Sequence, residues 1–133
     1  MQFATNHLGH FTLTTGLHDA LAAAARTAGQ ARVVSVSSSA HLGSGIVFDD
    51  IHFRMRAATG STAVTWKTPQ QGATTSVLLA VSPLLDGSGG KYFEDCNEAL
   101  PNEPGTRRGV AAYALDPEAA SRLWQVSAES VGT

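Results

Sequence analysis

The sequence predicts an α/β protein, and three observations carry that reading. Apolar residues make up 43% of the 133 residues while aromatics reach only 7% and charged residues 15%, so core volume has to come from Val, Leu, Ile and Ala packed between layers. A segment of helical period, Phe3 to about Ala28, runs after a two-residue break into the valine-rich stretch "ARVVSVS", which is half of a strand–helix–strand unit. Two further segments open on a proline at a first helical position, Pro69 and Pro117, where a missing N–H costs nothing.

Taken in order, Phe3, Leu8, Phe11, Leu13, Leu17, Leu21 and Ala25 recur at mostly helical spacings and Gly29 stands as a C-terminal stop. The spacing predicts one long helix. Val33, Val34 and Val36 then read as a strand covered on both faces, which needs neighbours on both edges. "SAHLGSGIVFDDIHF" is a loop punctuated by Gly43 and Gly45, and Arg54 to Trp66 shows no sustained period and is a junction. A moderately amphipathic helix follows from Pro69 and ends before Pro83. "GSGGKYFEDC" is a glycine turn leading into a short extended segment, and "NEALPNEPGTRRGV" is a surface loop. The last helix takes Asp116 as N-cap and turns Leu123, Trp124 and Val126 inward. Trp66, Trp124 and the Leu/Val stripes are the predicted core.

Composition also excludes function classes. The formal charge is −2 and the basic clusters, Arg54/Arg56 and Arg107/Arg108, are too short to track a phosphate backbone, which argues against nucleic acid as a partner. Cys96 is the single cysteine, so no intrachain disulfide forms and a cytoplasmic location is expected. It reads as a buried or half-buried small apolar residue. Asn6, His7 and His10 interrupt the N-terminal apolar run, so neither a leader nor a membrane span is expected, and a membrane is not a predicted partner. His7 and His10 lie three apart on one helix, but no carboxylate or thiol nearby completes a ligand set, so no metal site is predicted. His41 and His52 read as loop residues.

The blocks "FATNHLGHFTLT", "ARVVSVSSSAH", "FDDIHF", "GGKYFEDCNEA" and "YALDPEAASRLW" resemble, in that order, the short-chain dehydrogenase/reductase family, in particular its retinol-dehydrogenase-like branch. The resemblance covers Met1 to Phe53 and roughly Trp66 to Val131, and Arg54 to Thr65 corresponds poorly. It implies an incomplete Rossmann-like fragment, part of a doubly wound parallel sheet, in a single partial domain over residues 1–133: a helix and serine-strand region at 1–53, a junction at 54–65 and a C-terminal region at 66–133. It also implies NADP or NAD as cofactor and interconversion of an alcohol and a carbonyl. By the same resemblance Ser38 matches the family's catalytic serine, Ser35 stands where that block has Asn, and Asn6 matches the asparagine that holds a water in the proton relay. A hydroxyl at the carboxyl end of a parallel strand suits that role, because it can donate a hydrogen bond to a carbonyl oxygen as charge develops there.

The pattern departs in two places. The family's proton donor is a Tyr followed four residues later by Lys, expected between Phe53 and Pro69; here Tyr92 and Tyr113 are followed at that spacing by Cys96 and Pro117, and Lys67 and Lys91 are the only lysines. Losing the general acid/base lowers a rate by about 10²–10⁴-fold. The glycine-rich turn that would hold the cofactor's pyrophosphate is expected upstream of Met1, and "GTRRGVA" at Gly105 to Ala111 imitates its spacing after a Pro-rich loop instead of a strand. The cofactor-binding residues are therefore unknown. Two readings follow: an oxidoreductase remnant, inactive alone and possessing Ser38 and Asn6 as vestiges, or an interaction module that docks on a full-length relative or on itself as a homo-oligomer. A chain that does not fold stably is a third.

Overall fold

A computed structural model describes residues 2–52 and 67–132; the predicted junction at 54–65 and Trp66 lie outside them. The chain divides into two compact units, one of Met1–Ala31, Gly45–Ala58 and Tyr113–Thr133 and the other of Arg32–Ser44 and Thr59–Ala112.

In the first unit the N-terminal segment winds as a π-helical turn, Ala4–Leu8, followed by α1 (Gly9–Gly16) and α2 (His18–Ala28). The predicted single helix is thus one helical course with two changes of winding. At Leu17 the backbone flattens to φ −91°, ψ −2°, yet the Leu17 N–H still donates to the Leu13 carbonyl and the Leu21 N–H to the Leu17 carbonyl, at 3.1 and 2.9 Å. Gly29 ends α2 at φ 84°, a left-handed conformation that glycine adopts without strain. The last helix, α4 (Pro117–Val131), starts as the sequence predicts: Asp116 accepts from the Glu118 N–H at 2.9 Å and Pro117 occupies the first turn. Its inward face differs. Trp124 packs edge-on against Phe11 with ring centroids 4.9 Å apart but stays 60% exposed, while Ser127 is fully buried. In the same unit the Arg122 guanidinium of α4 lies 4.1 Å over the ring of Phe48.

In the second unit α3 (Pro69–Val81) opens on a capping box, in which Thr68 accepts from the Gln71 N–H and the Gln71 side chain accepts from the Thr68 N–H. It ends at Ser82, before the Pro83–Leu85 turn, as predicted. The predicted amphipathic character is not there: Val77 and Val81 are exposed while Leu78 and Leu79 are half-buried. A hairpin follows, β1 (Phe93–Glu94) and β2 (Asn97–Glu98), pairing antiparallel with Phe93 opposite Glu98 and Glu94 opposite Asn97. The predicted surface loop after it therefore contains a strand. It also closes on itself through a parallel bridge between Pro101 and Val110, and Val110 and Ala111 are the buried hydrophobic residues among those described.

The α/β class stands, but two finer expectations do not. Among the described residues the sheet is a two-stranded antiparallel hairpin, not a doubly wound parallel sheet. The predicted buried strand, Arg32–Ser37, enters no ladder: Val33 is 54% and Val36 85% exposed. A strand is buried on both faces only where neighbours flank both edges and helices cover them, and β1 and β2, each two residues long, pair with one another instead. Arg32 alone is tied down, donating to the Leu79 carbonyl at 3.0 Å and pairing with the Asp86 carboxylate. Among the described residues no helix is long and apolar enough to cross a membrane.

Candidate functional site

Ser38 sits in the second unit on extended backbone, φ −140°, ψ 146°, and caps the short Ser39–Gly43 helical turn. Its Oγ accepts the Ala40 N–H at 3.1 Å, which leaves the hydroxyl proton available to an acceptor in solvent. Its carbonyl accepts twice from His41, from the backbone N–H at 3.0 Å and from Nδ1 at 2.8 Å. Because Nδ1 donates, Nε2 of the neutral ring carries the lone pair, and it accepts the Ala111 N–H at 3.3 Å. Both ring nitrogens are thereby committed to backbone, and His41 organises the turn behind Ser38 without standing as a base to its hydroxyl.

The His41 ring meets Tyr92 edge-on at 5.1 Å. Burial, and then the charge of Glu94, raise the Tyr92 phenol above its ordinary value, away from the near-neutral range in which a phenol shuttles protons. Both lysines are held by carboxylates, Lys67 by Asp95 and Lys91 by Glu98. The hydrogen bond from Lys67 holds the Asp95 carboxyl below its usual range against partial desolvation, with the charges of Lys67 and Arg108 adding to it.

Asn6 lies on the π-helical turn of the first unit, exposed. Such turns inside helices are frequent at functional sites. Since Asn6 and Ser38 belong to different units, each is placed only within its own. Neighbouring His7 is not turned toward a ligand site: its Nε2 lies 2.8 Å from Ser127 Oγ and its ring stacks on Phe3 at 4.8 Å.

A nicotinamide cofactor needs a cradle for its pyrophosphate, and Gly105–Ala111 does not fit one. The Gly109 N–H, which would have to point at a phosphate, donates to Glu94 Oε1 at 2.8 Å, so a carboxylate already occupies the anion position. The space beside its Cα is also filled, with the Leu100 carbonyl oxygen 2.6 Å from where a Cβ would stand. The glycine serves the loop. A cleft of about 320 Å³ beside it is lined by Glu94, Asp95, Glu98 and Glu103 as well as Arg108, an acidic rim that repels a dinucleotide.

Two arrangements escape sequence reasoning. The hairpin turns at Asp95 and Cys96 with φ 47° and 64°, and Thr75 of α3 secures it by accepting the Cys96 N–H at 3.1 Å; turns of this kind are announced by Asn-Gly or Asp-Gly, and Asp-Cys stands here instead. The His7–Ser127 contact joins residues 120 apart in the chain and has no local signature.

Comparison with known proteins supplies what local geometry does not. The chain is 41% identical to a "Probable oxidoreductase" of Streptomyces lividans over 194 aligned positions, covering 98% of this chain and 64% of that protein. It is 29% identical to the "Short-chain dehydrogenase/reductase prx1" of Penicillium roqueforti, covering 95% of this chain and 54% of that one. With "Retinol dehydrogenase 14" of Homo sapiens the identity is 28%, over 99% of this chain and 52% of the human protein. The chain thus spans less than two thirds of the length of each of these relatives. The alignment of 194 positions exceeds the 133 residues here by 61, so the Streptomyces protein carries at least that many residues with no counterpart in this chain. No protein-family model matches the chain, and no solved structure matches it.

Proposed function

From its likeness to a probable oxidoreductase and to proteins named as short-chain and retinol dehydrogenases, we propose that the chain is an oxidoreductase remnant of the short-chain dehydrogenase/reductase family, of the class that interconverts alcohols and carbonyls with NAD(P), and that it does not turn over alone. Ser38 retains the hydroxyl that would donate to a carbonyl oxygen, and Asn6 retains the amide of the relay. The observation that carries the reading is the missing proton donor: no Tyr in the 133 residues has a Lys four positions on, and the phenol of Tyr92, beside the Ser38 turn, is pushed away from neutrality. The 61 or more unmatched positions of the relative are in keeping with an internal deletion at 54–65, where the family's Tyr and Lys would stand. The test is incubation of the purified chain with NADH or NADPH and a panel of aldehydes and ketones. No turnover is expected, and turnover abolished by Ser38→Ala would overturn the reading.

A second reading is favoured by one observation, the exposed Val33 and Val36 in a segment that joins no sheet. On this reading the chain is an interaction module that docks on a second copy or on a full-length relative by adding a strand at that edge. Sedimentation of the isolated chain is expected to show association; a compact, cooperatively melting monomer argues against it.

A further inference from the structure

Ser127 is fully buried, and its hydroxyl has one proton to give. That proton goes to the Leu123 carbonyl, 2.6 Å away on the preceding turn of α4. Toward His7 the oxygen can therefore only accept, and the 2.8 Å contact to Nε2 fixes Nε2 as the protonated nitrogen of the neutral ring. The ring itself is half-buried, stacked on Phe3 and with Phe11 on its other side at 6.3 Å. Beyond Phe3 stands His52, whose ring meets Phe3 at 6.0 Å.

We propose that the half-buried pocket built around the His7–Ser127 bond is a pH-sensitive latch that holds α4 against the helical turn carrying Asn6, tight when the imidazole is neutral and loosened when the pocket must take up its charge. It rests on this geometry and not on the oxidoreductase reading. Protonation does not break the Nε2–H bond as such. It places a full positive charge in a pocket built of aromatic rings and a hydroxyl whose proton is already committed, and the cost falls on the packing that makes the pocket. The ionisable group that acts on the ring by charge is His10 of α1; α4 presents Ser127 to the ring. The unit also buries the carboxylate of Asp50, and this does not reverse the balance, because burial first and His10 second hold His7 below its ordinary value. A stacked Phe face attracts a cation and reduces the effect without changing its sign.

With the folded value below the unfolded one of about 6.5, the unfolded chain takes up the proton first as pH falls. The latch is then fully closed above about pH 6.5 and loses stability as pH drops from there through the folded value. The experiment is amide hydrogen exchange of α4 in the full chain between pH 5 and 8, corrected for intrinsic rates, with the His7 ring followed by NMR in the same samples. Protection of residues 123–131 is expected to fall in step with titration of the His7 ring, by up to about tenfold for each unit by which its pKa is lowered. His7→Gln, which keeps a donor and cannot ionise, is expected to remove the step, and Ser127→Ala to remove it together with the protection. An unchanged step in His7→Gln overturns the proposal. Should that variant fail to fold, the wild type decides: loss of α4 protection at a pH where the His7 ring is not titrating, or no loss at all, overturns it equally.

Discussion

Gly109 shows how one residue can be legible in the sequence for the wrong reason. Its spacing from Gly105 imitates a phosphate loop, whereas its N–H is spent on Glu94 and its φ of 88° and the neighbouring Leu100 and Asn102 backbone leave no room for a side chain. Gly109→Ala is expected to destabilise the second unit by about 1–3 kcal/mol or more through left-handed strain and the clash together, read as a lower urea midpoint. An unchanged midpoint would mean that the loop does not close on Leu100. Cys96 is the converse case, a side chain in a left-handed position at φ 64° where an L-residue costs about 1–2 kcal/mol. Cys96→Gly is expected to raise the same midpoint by about 1 kcal/mol, because the Thr75 bond is made to the backbone N–H and survives the change. Ser38 is singled out by its block alone, and the structure gives its hydroxyl the cap of a turn whose carbonyl side His41 has already claimed.

At the scale of elements, the helices were readable and the strands were not, and the difference is one of range. α3 and α4 are each announced by residues within three positions of their first turn: Thr68 with Gln71, and Asp116 with Pro117. A cap of that kind stabilises by about 1 kcal/mol, so Thr68→Ala is expected to lower the helical signal of the chain and its urea midpoint by that amount; a change below a few tenths would show that α3 is held by its packing instead. Nothing so local decides a strand. Val33, Val34 and Val36 have the composition of a buried strand, but a ladder requires partners elsewhere in the chain, and the hairpin satisfies β1 and β2 without them. The π-helical turn at Ala4–Leu8 was likewise invisible, since its apolar spacing reads as ordinary helix. Its His7 meets Ser127, 120 residues on in the chain.

At the scale of the whole molecule, the likeness to short-chain dehydrogenases/reductases was legible in five blocks of sequence, and relatives of that name align over nearly all of this chain; the parallel sheet that such a likeness implies is not found among the described residues. The physical cause lies in what the residues can bury. Among the described residues the buried hydrophobic side chains are Val110 and Ala111, while Leu84, Val36, Leu100 and Val81 are each more than 70% exposed. A hydrophobic side chain left in water forgoes about 1.5–3 kcal/mol of burial, and net stabilities of domains are only about 5–15 kcal/mol, so a few such losses decide whether a chain folds as one unit. For 133 residues a fully cooperative domain absorbs about 90 kcal/mol on melting near 60 °C. Scanning calorimetry of this chain is expected to show a broad transition well below that enthalpy, because unfolding exposes little apolar surface that is not exposed already. A sharp transition at the full enthalpy would require Val33, Val36, Leu84 and Leu100 to be covered in solution. Concentration dependence of the melting temperature would then decide whether a second copy does the covering.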